Sequence, residues 1–269
     1  DLLGAQAPNG EDWCYYIHPN GRRVHTTYWR CCKSSGAMAL EELPAVAYTI
    51  DPAGALAVNL YGPGSAVASL AGVGEVLLDQ ETAYPYAGDV AIRVRVEQPG
   101  RFTLKLRIPE WCSGARIELD GTDAGVAAIP GAYAVVDRVW AADQHVRLHL
   151  PMAPRLHRAG NRNVQVSRAP DGSTVEQEVL HYDYVAVTRG PLVYATGLVD
   201  GYKLEETLRL PRDADAALRE LPAEPGLAPQ VELAAEGRAP LRYAPYHAIA
   251  GRADGTWRLT WLPVSPVQA

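Results

Sequence analysis

Two adjacent cysteines, Cys31 and Cys32, are the residues whose type and position most directly suggest chemistry in this sequence. The residues that follow, 33–47, predict a helix, so both thiols are expected just before its N-terminus. The partial positive charge of a helix N-terminus, together with the charges of Arg30 and Lys33, favours the thiolate form of a cysteine. A thiolate acts as a nucleophile or as a zinc ligand, whereas two packed thiols in an apolar corner are the alternative that the spacing leaves open.

A zinc site at this pair needs more donors than the pair supplies. Two adjacent sulfurs can ligate one ion, but a tetrahedral site requires two further ligands, or one ligand and a water. Neither a CxxC nor an HExxH motif accompanies the pair. Folding could recruit Cys14 with His18 or His25, although nothing in the spacing requires it.

The other titratable residues form no comparable motif. His145 and His149 lie four residues apart on a predicted strand, which places them on one face but too far apart to chelate a metal comfortably. A solvated strand face is therefore the expected environment for both. Carboxylates are plentiful enough for a glycosidase-type pair, but spacing alone does not select the two partners.

The elements that must position these residues are mostly short β-strands. The sequence contains 24 glycines and 21 prolines, which separate runs of alternating apolar and polar residues. Alternation over 90–96 and 102–108 predicts two strands with one buried face each, and Pro99-Gly100 predicts a hairpin between them. Further strands are predicted at 56–61, 115–119, 133–136, 145–150, 184–188, 192–195 and 256–262. Many short strands at this spacing are typical of β-sandwich or jelly-roll packing.

Helices are expected to be few. The first is predicted over 33–47, with Ser34 or Ser35 as its N-cap and Pro44 as the residue that kinks or ends it. A weaker helical pattern lies at 213–221. The sequence therefore predicts a mainly β protein, in which a short helical segment precedes two β-rich units that meet near 152–161.

Composition excludes several classes of protein. The 269 residues carry a net charge of −6, which gives no electrostatic footprint for nucleic acid or an anionic membrane. The longest uncharged stretch, 52–74, is interrupted by glycine and proline and cannot form a spanning helix. Four cysteines are too few and too unevenly placed for a disulfide scaffold, which favours a thiol-maintaining, cytoplasmic location. The sequence opens at Asp1 in mid-pattern, so we expect an N-terminal portion to be missing.

Several strings of the sequence resemble glycoside hydrolase family 127, whose type enzyme is a bacterial β-L-arabinofuranosidase. The string YYIHPNGRRVHTTYWRCCKSSGAMALEELPAVAYTI, followed by LAVNLYGPGSA, resembles the end of that family's catalytic domain. Later segments follow in the family's order: LKLRIPEWC, ARIELDG, VVDRVWAADQHVRLHLPMAPRL, VAVTRGPLVYA, LRYAPYHAIAG and WRLTWLP. The resemblance covers nearly the whole chain, and its most specific part is this ordered combination with the double cysteine.

The resemblance implies an architecture of three parts. Family members have an N-terminal (α/α)6 barrel followed by two β-sandwich, jelly-roll-like domains. Residues 1–47 would then be the C-terminal end of the barrel. Residues 48–152 plus 240–269 would form β-sandwich I, and 153–239 would form β-sandwich II. The family also suggests a homodimer formed through the second sandwich.

The resemblance further implies a retaining, exo-acting glycosidase that uses a zinc-bound cysteine thiolate. By motif match, Cys31 would be the catalytic nucleophile and a zinc ligand, and Cys32 would be a second zinc ligand. The family's other zinc ligands, a glutamate and a cysteine, and its acid/base glutamate would lie upstream of this sequence. The sequence departs from the family in having Lys33-Ser34 where two prolines commonly follow the cysteines.

Two functions of different classes therefore compete. The first is a β-L-arabinofuranosidase-like hydrolase of arabinofuranosides, represented by its C-terminal part and dependent on the missing catalytic barrel. The alternative is a non-catalytic β-sandwich module for carbohydrate binding or dimerisation, in which the cysteines have lost their role. An unrelated zinc-thiolate protein is a third interpretation, and it would need ligands that the spacing does not offer.

Overall fold

The computed structural model describes residues 5–6, 13–14, 17–22, 25–26, 30–197, 207–213, 215–224, 226–249 and 257–265. Over these residues the chain forms several sheets and little helix, which confirms the prediction of a mainly β fold. It divides into two compact units. We call Ser34–Ala153 with Pro225–Ala228 the middle unit, and the rest of the chain the terminal unit. Among the described helices, none has the length and apolar character needed to cross a membrane.

The N-terminal part of the described chain forms three short strands and two helices. They are β1 (Trp13–Cys14), β2 (Asn20–Arg22), β3 (His25–Thr26), α1 (Arg30–Glu41) and α2 (Leu43–Ala47). Strands β1 and β3 pair with each other in antiparallel orientation. The helix predicted over 33–47 begins earlier than expected, at Arg30, and is broken after Glu41. Pro44 lies in the first turn of α2, because its ring and its missing N–H are tolerated only at a helix start.

The middle unit consists of two β-sheets. Its strands are β4 (Tyr48–Ile50), β5 (Leu56–Val58), β6 (Gly64–Leu70), β7 (Gly74–Thr82), β8 (Asp89–Val96), β9 (Gly100–Arg107), β10 (Arg116–Leu119), β11 (Thr122–Asp123), β12 (Tyr133–Trp140) and β13 (Asp143–His149). One sheet has the order β11-β10-β13-β8-β7-β6, and the other has the order β12-β9-β5-β4. Neighbouring strands are antiparallel except for β5 and β9, which are parallel.

Apolar side chains from both sheets meet in one core, which makes the middle unit a β-sandwich. The alternating residues of β8 and β9 are buried, as their pattern predicts, because every second side chain of a strand points to the same face. They are Val90, Ile92, Val94, Val96, Phe102, Leu104 and Leu106. Trp140 is also fully buried, stacks on Phe102 at a centroid distance of 5.1 Å, and donates its indole N–H to the Phe102 carbonyl at 3.0 Å.

The hairpin predicted at Pro99-Gly100 is wrong, since β8 and β9 belong to different sheets. Strand β8 pairs with β7 and β13, whereas β9 pairs with β5 and β12. The residues between them carry the chain across the sandwich. Two strands with inward-facing alternation have the same sequence pattern whether they are neighbours in one sheet or face each other across a core.

The terminal unit contains the remaining strands. They are β14 (Pro154–Arg168), β15 (Thr174–Arg189), β16 (Leu192–Gly197), β17 (Leu218–Glu220), β18 (Val231–Leu233), β19 (Leu241–Pro245), β20 (Trp257–Leu259) and β21 (Leu262–Val264). The main sheet order is β14-β15-β16-β19-β18-β17; β20 pairs with both β16 and β2, and β21 pairs with β15. Its core is lined by buried residues from most of these strands, among them Val185, Val187, Tyr194, Val231, Leu233, Tyr243, Leu259 and Leu262.

The C-terminal strands lie elsewhere than the sequence analysis placed them. Residues 240–269 were assigned to β-sandwich I, whereas β19, β20 and β21 pair only with strands of the terminal unit among the described residues. The helix predicted at 213–221 is also wrong, because Leu218–Glu220 is a strand paired with Val231–Leu233. In both cases a partner distant in sequence determines the structure, and local propensity carries no information about that partner.

Ion pairs join β15, β17, β18 and β19 of the terminal unit. Arg189 in β15, whose side chain is 9% exposed, donates two hydrogen bonds to Glu220 in β17, at 2.7 and 3.1 Å. Glu232 in β18 lies between Arg219 in β17 and Arg242 in β19 and contacts both guanidinium groups. The hydrogen bond from Arg219, followed by the charges of both arginines, lowers the pKa of Glu232 below its ordinary value of 4.5.

Candidate active site

The thiol of Cys31 is reduced and solvent-exposed, in the first turn of helix α1. The sequence predicted that the cysteines lie just before the helix, and the structure includes them in its first turn. Cys32 is the next residue of the same helix, and its side chain is outside the described residues. Because the first amide groups of a helix have no intrahelical acceptor, Cys31 lies at the positive end of the helix dipole.

The described residues do not form a complete metal site. No three His, Cys, Asp or Glu side chains in this part of the chain are grouped so that they could hold a metal ion. Cys14 is buried in β1, and Cys112 is fully buried in the core of the middle unit. The thiol of Cys31 and the position of Cys32 thus fit two ligands of a tetrahedral ion, and the described residues do not supply the other two. Zinc binding by the pair stays a prediction.

His145 and His149 lie on β13, on the solvent side of the six-stranded sheet. His145 is exposed, and His149 is half-buried with its Nδ1 atom 2.8 Å from Oδ1 of Asp89 in β8. The ring of His149 therefore has a carboxylate partner on the neighbouring strand. This is the solvated strand face that the spacing predicts.

A depression of about 340 Å³ lies on the terminal unit, and no sequence pattern predicts it. Its wall includes Arg158, Asp183 and Ser265, and its apolar part includes Val264. Gly160 also lines it, and a Cβ built on this glycine would meet its nearest neighbour, Oδ1 of Asp183, at 3.5 Å. A Cβ at this position would therefore be in ordinary van der Waals contact with Asp183.

Strands β14 and β15 extend beyond the rest of their sheet as a two-stranded ribbon. In the described structure β15 pairs with β21 at 183–185 and with β16 at 187–189, whereas 174–182 pair only with β14. Nearly all of β14 is exposed, and the ribbon exposes four valines: Val164, Val166, Val175 and Val179. A two-stranded ribbon that exposes apolar side chains is marginal by itself in water.

The helix that carries Cys31 and Cys32 is followed along the chain by the strands of the two β-rich units. Residues 55–152 match the profile described as "Beta-L-arabinofuranosidase, GH127 middle domain", and residues 174–263 match "Glycoside hydrolase family 127 C-terminal domain". The two matches follow each other in order and together cover most of the sequence. The chain belongs to glycoside hydrolase family 127 (GH127) and contains its middle and C-terminal domains.

Solved structures share the fold over nearly the whole chain. A glycoside hydrolase has 24% sequence identity and a TM-score of 0.72, with 98% of this chain and 46% of that one covered. A GH127 β-L-arabinofuranosidase from Geobacillus stearothermophilus T6 has 24% identity, a TM-score of 0.72 and coverages of 98% and 44%. A GH127 β-arabinofuranosidase has 20% identity, a TM-score of 0.71 and coverages of 98% and 44%. The chain thus spans less than half the length of these structures. A comparison with curated proteins finds no match.

Proposed function

We propose that this chain is part of a retaining, exo-acting glycosidase that hydrolyses β-L-arabinofuranosides, with Cys31 as its nucleophile. One observation carries the proposal: an exposed thiol in the first turn of α1 is followed directly by the middle and C-terminal domains of GH127. The name of one structural relative, a β-L-arabinofuranosidase, supports the substrate class.

The reaction proceeds in two displacements at the anomeric carbon. In the first, the sulfur of Cys31 forms a bond to this carbon while the glycosidic C–O bond breaks, and a carboxylic acid protonates the departing oxygen. In the second, water attacks the same carbon, the C–S bond breaks, and the carboxylate takes the proton from the water. Each displacement inverts the anomeric centre, so the two together retain its configuration. The carboxyl group would come from the catalytic barrel that precedes these domains in the family.

The thiols of Cys31 and Cys32 would hold zinc together with two ligands that are not among the described residues. When bound, zinc keeps its cysteine ligands deprotonated and therefore favours the nucleophilic form of sulfur. A compartment that maintains thiols, such as the cytoplasm, suits this chemistry because Cys31 must stay reduced to act.

The nucleophile is tested in the whole enzyme by Cys31→Ser, with Ala37→Ser as the matched control. Ala37 is exposed on the same helix, so the control introduces the same side chain away from the thiol. We expect Cys31→Ser to lower kcat by about 10³-fold or more, as loss of a nucleophile does, with an unchanged circular dichroism spectrum. Ala37→Ser should keep full activity. Substantial turnover in a folded Cys31→Ser variant would refute the assignment.

A non-catalytic, carbohydrate-binding function is the second candidate, and the depression beside Gly160 supports it. Arg158, Asp183 and Ser265 are among the residues that line this depression, and guanidinium, carboxylate and hydroxyl groups can bind sugar hydroxyls. Electrophoresis of the chain through an arabinan gel tests this. Retardation without cleavage, lost in Gly160→Leu but kept in Gly62→Leu, would favour a binding module; Gly62 has no atom within 4 Å of an added Cβ.

Self-association as a homodimer is supported by the exposed ribbon of β14 and β15. The outer edge of β14 offers backbone N–H and C=O groups to a second copy, and the valines of the ribbon would be buried on contact. Sedimentation equilibrium should give a dimer for the chain and a monomer for the double variant Val164→Glu, Val166→Glu. If the unsubstituted chain is a monomer at micromolar concentration, the homodimer is excluded.

A further inference from the structure

The segment that leads to the cysteines is bound to the far end of the chain. Strand β2 pairs antiparallel with β20, so that Asn20 lies opposite Leu259 and Gly21 lies opposite Arg258. The backbone N–H of Thr260 also donates to the carbonyl of Pro19 at 3.1 Å. Strand β20 pairs in turn with β16 of the terminal unit. The C-terminal strands therefore join β2 to the body of that unit.

The side chain of Asn20 adds three hydrogen bonds to this backbone pairing. Its Oδ1 atom accepts hydrogen bonds from the backbone N–H groups of Thr260 and Trp261, each at 2.9 Å. Its Nδ2 atom donates to the Trp261 carbonyl at 2.6 Å. The amide oxygen accepts two of these bonds and the amide N–H donates the third, so aspartate lacks the donor, alanine lacks both groups, and serine has a single oxygen in place of two separate amide atoms. The contact therefore depends on both polar atoms of the Asn20 amide.

The buried side chain of Arg258 is linked to the same segment through the hydroxyl of Tyr246. Arg258 is 0% exposed, its guanidinium lies 3.7 Å from the ring centroid of Tyr246, and its Nη2 atom donates to the Tyr246 hydroxyl at 2.5 Å. The Tyr246 hydroxyl donates in turn to the His18 carbonyl at 2.9 Å. Charged groups are rarely buried without such contacts, so this chain of bonds makes the position of the segment costly to change.

The cysteines lie in the same compact unit as these anchors, because the terminal unit includes Asp1–Lys33 as well as Pro229–Ala269. Cys31 comes nine residues after Arg22, the last residue of β2. Even a fully extended chain would therefore separate the two Cα atoms by no more than about 30 Å. We infer that strand β20 and the two residues after it, Thr260 and Trp261, position the cysteine segment, and that Asn20 is the positioning residue that fixes it. The inference rests on the proposed role of Cys31 as the nucleophile. It gives the C-terminal domain a part in organising the active site.

The test measures the width of the distance distribution between Cys31 and a fixed site in the terminal unit. Nitroxide labels are attached to Cys31 and to Val193→Cys, an exposed site on β16, in a chain that carries Cys32→Ala. Pulsed electron paramagnetic resonance gives the distribution of distances between the labels. We expect one narrow distribution in this parent, and at least a twofold broader one after Asn20→Ala.

Asn59→Ala is the matched control, because Asn59 also makes three side-chain hydrogen bonds, but in the middle unit. It donates to the Val46 carbonyl and the Thr49 hydroxyl, each at 3.0 Å, and accepts from the Tyr133 hydroxyl at 2.6 Å. This variant loses as many bonds and should leave the distribution unchanged. An equally narrow distribution in a folded Asn20→Ala chain, or equal broadening in both variants, would overturn the inference.

Tyr246→Phe is a second variant for the same distance measurement, for use if Asn20→Ala does not fold. This variant removes only the hydroxyl that donates to the His18 carbonyl, and the same broadening is expected. The result is independent of the proposed chemistry, because the measurement does not use catalysis. Full turnover in Cys31→Ser would refute the nucleophile and leave the distances unaffected, whereas an unchanged distribution would refute positioning and leave the nucleophile in place.

Discussion

Gly88→Ala tests the packing of the middle unit at a point where two backbones touch. Gly88 lies immediately before β8, and its carbonyl accepts a hydrogen bond from the N–H of Leu150 at 2.8 Å. A Cβ on residue 88 would lie 1.9 Å from the carbonyl oxygen of Leu150 and 2.9 Å from its carbonyl carbon. Ordinary contact begins at 3.4 Å. The two segments must therefore separate by more than 1 Å, which also displaces the fully buried side chain of Leu150.

The expected loss of stability follows from these distances. Overpacking of this kind costs about 1–3 kcal/mol, and loss of the Leu150 hydrogen bond adds about 0.5–1.5 kcal/mol. Gly88→Ala should therefore lower the free energy of unfolding of the middle unit by about 2–4 kcal/mol. With a urea dependence of about 2 kcal/mol per molar, the unfolding midpoint should fall by about 1–2 M.

Urea unfolding followed by pulsed hydrogen exchange measures this loss unit by unit, since peptides from β8 and β9 report on the middle unit and peptides from β18 and β19 on the terminal unit. Gly62→Ala is the control, because its Cβ would meet no atom within 4 Å. The control should stay within about 0.5 kcal/mol of the parent or become slightly more stable. Equal stability of the two variants would refute the reasoning, because the close approach at Gly88 would then be absent.

Three further predictions concern the ion pairs and the cysteines. Glu220→Gln should destabilise the terminal unit by about 1–3 kcal/mol in chemical denaturation, because it leaves the charge of the nearly buried Arg189 without its carboxylate; an unchanged midpoint would contradict this. The pKa of Glu232 is lowered chiefly by Arg219, so this carboxylate contributes stability that is fully present above about pH 4.5 and is lost as the pH falls through its lower folded-state pKa. Glu232→Gln should therefore be less stable than the parent at pH 7 and equal to it at the acid end of a pH series; a difference that persists there would contradict the assignment. Zinc titration against a coloured chelator should detect weak binding to the chain that Cys32→Ala abolishes, and tight binding that survives this substitution would exclude the cysteine pair as the ligands.

The part of the fold that local pattern determines could be predicted. Strands β8 and β9 follow from strict alternation of buried and exposed residues, and Pro44 marks the break between α1 and α2 because of its own covalent structure. The pairing of strands could not be predicted, since alternation fixes which face is buried but not which strand lies alongside. This is why a hairpin was expected at Pro99-Gly100, where the chain crosses between sheets.

The candidate site shows the same limit. Cys31 could be singled out because its chemistry follows from residue type and its place at a helix start. Asn20 gave no signal as a positioning residue, because Asn20-Gly21 is a dipeptide typical of turns, whereas the structure uses it in strand β2. Its partners, Thr260 and Trp261, lie at the other end of the sequence. Only the folded chain brings these residues together.

The pairing of β2 with β20 has a consequence for biosynthesis. The middle unit is nearly continuous in sequence and can fold while the ribosome is still adding the later strands. Strand β2 must wait until Trp257–Leu259 emerges, a delay of roughly 10–50 s at typical elongation rates. During this interval Cys31 has been synthesised and the strand that we infer to position it has not. If that inference holds, the cysteine segment is among the last parts of the chain to reach its final position.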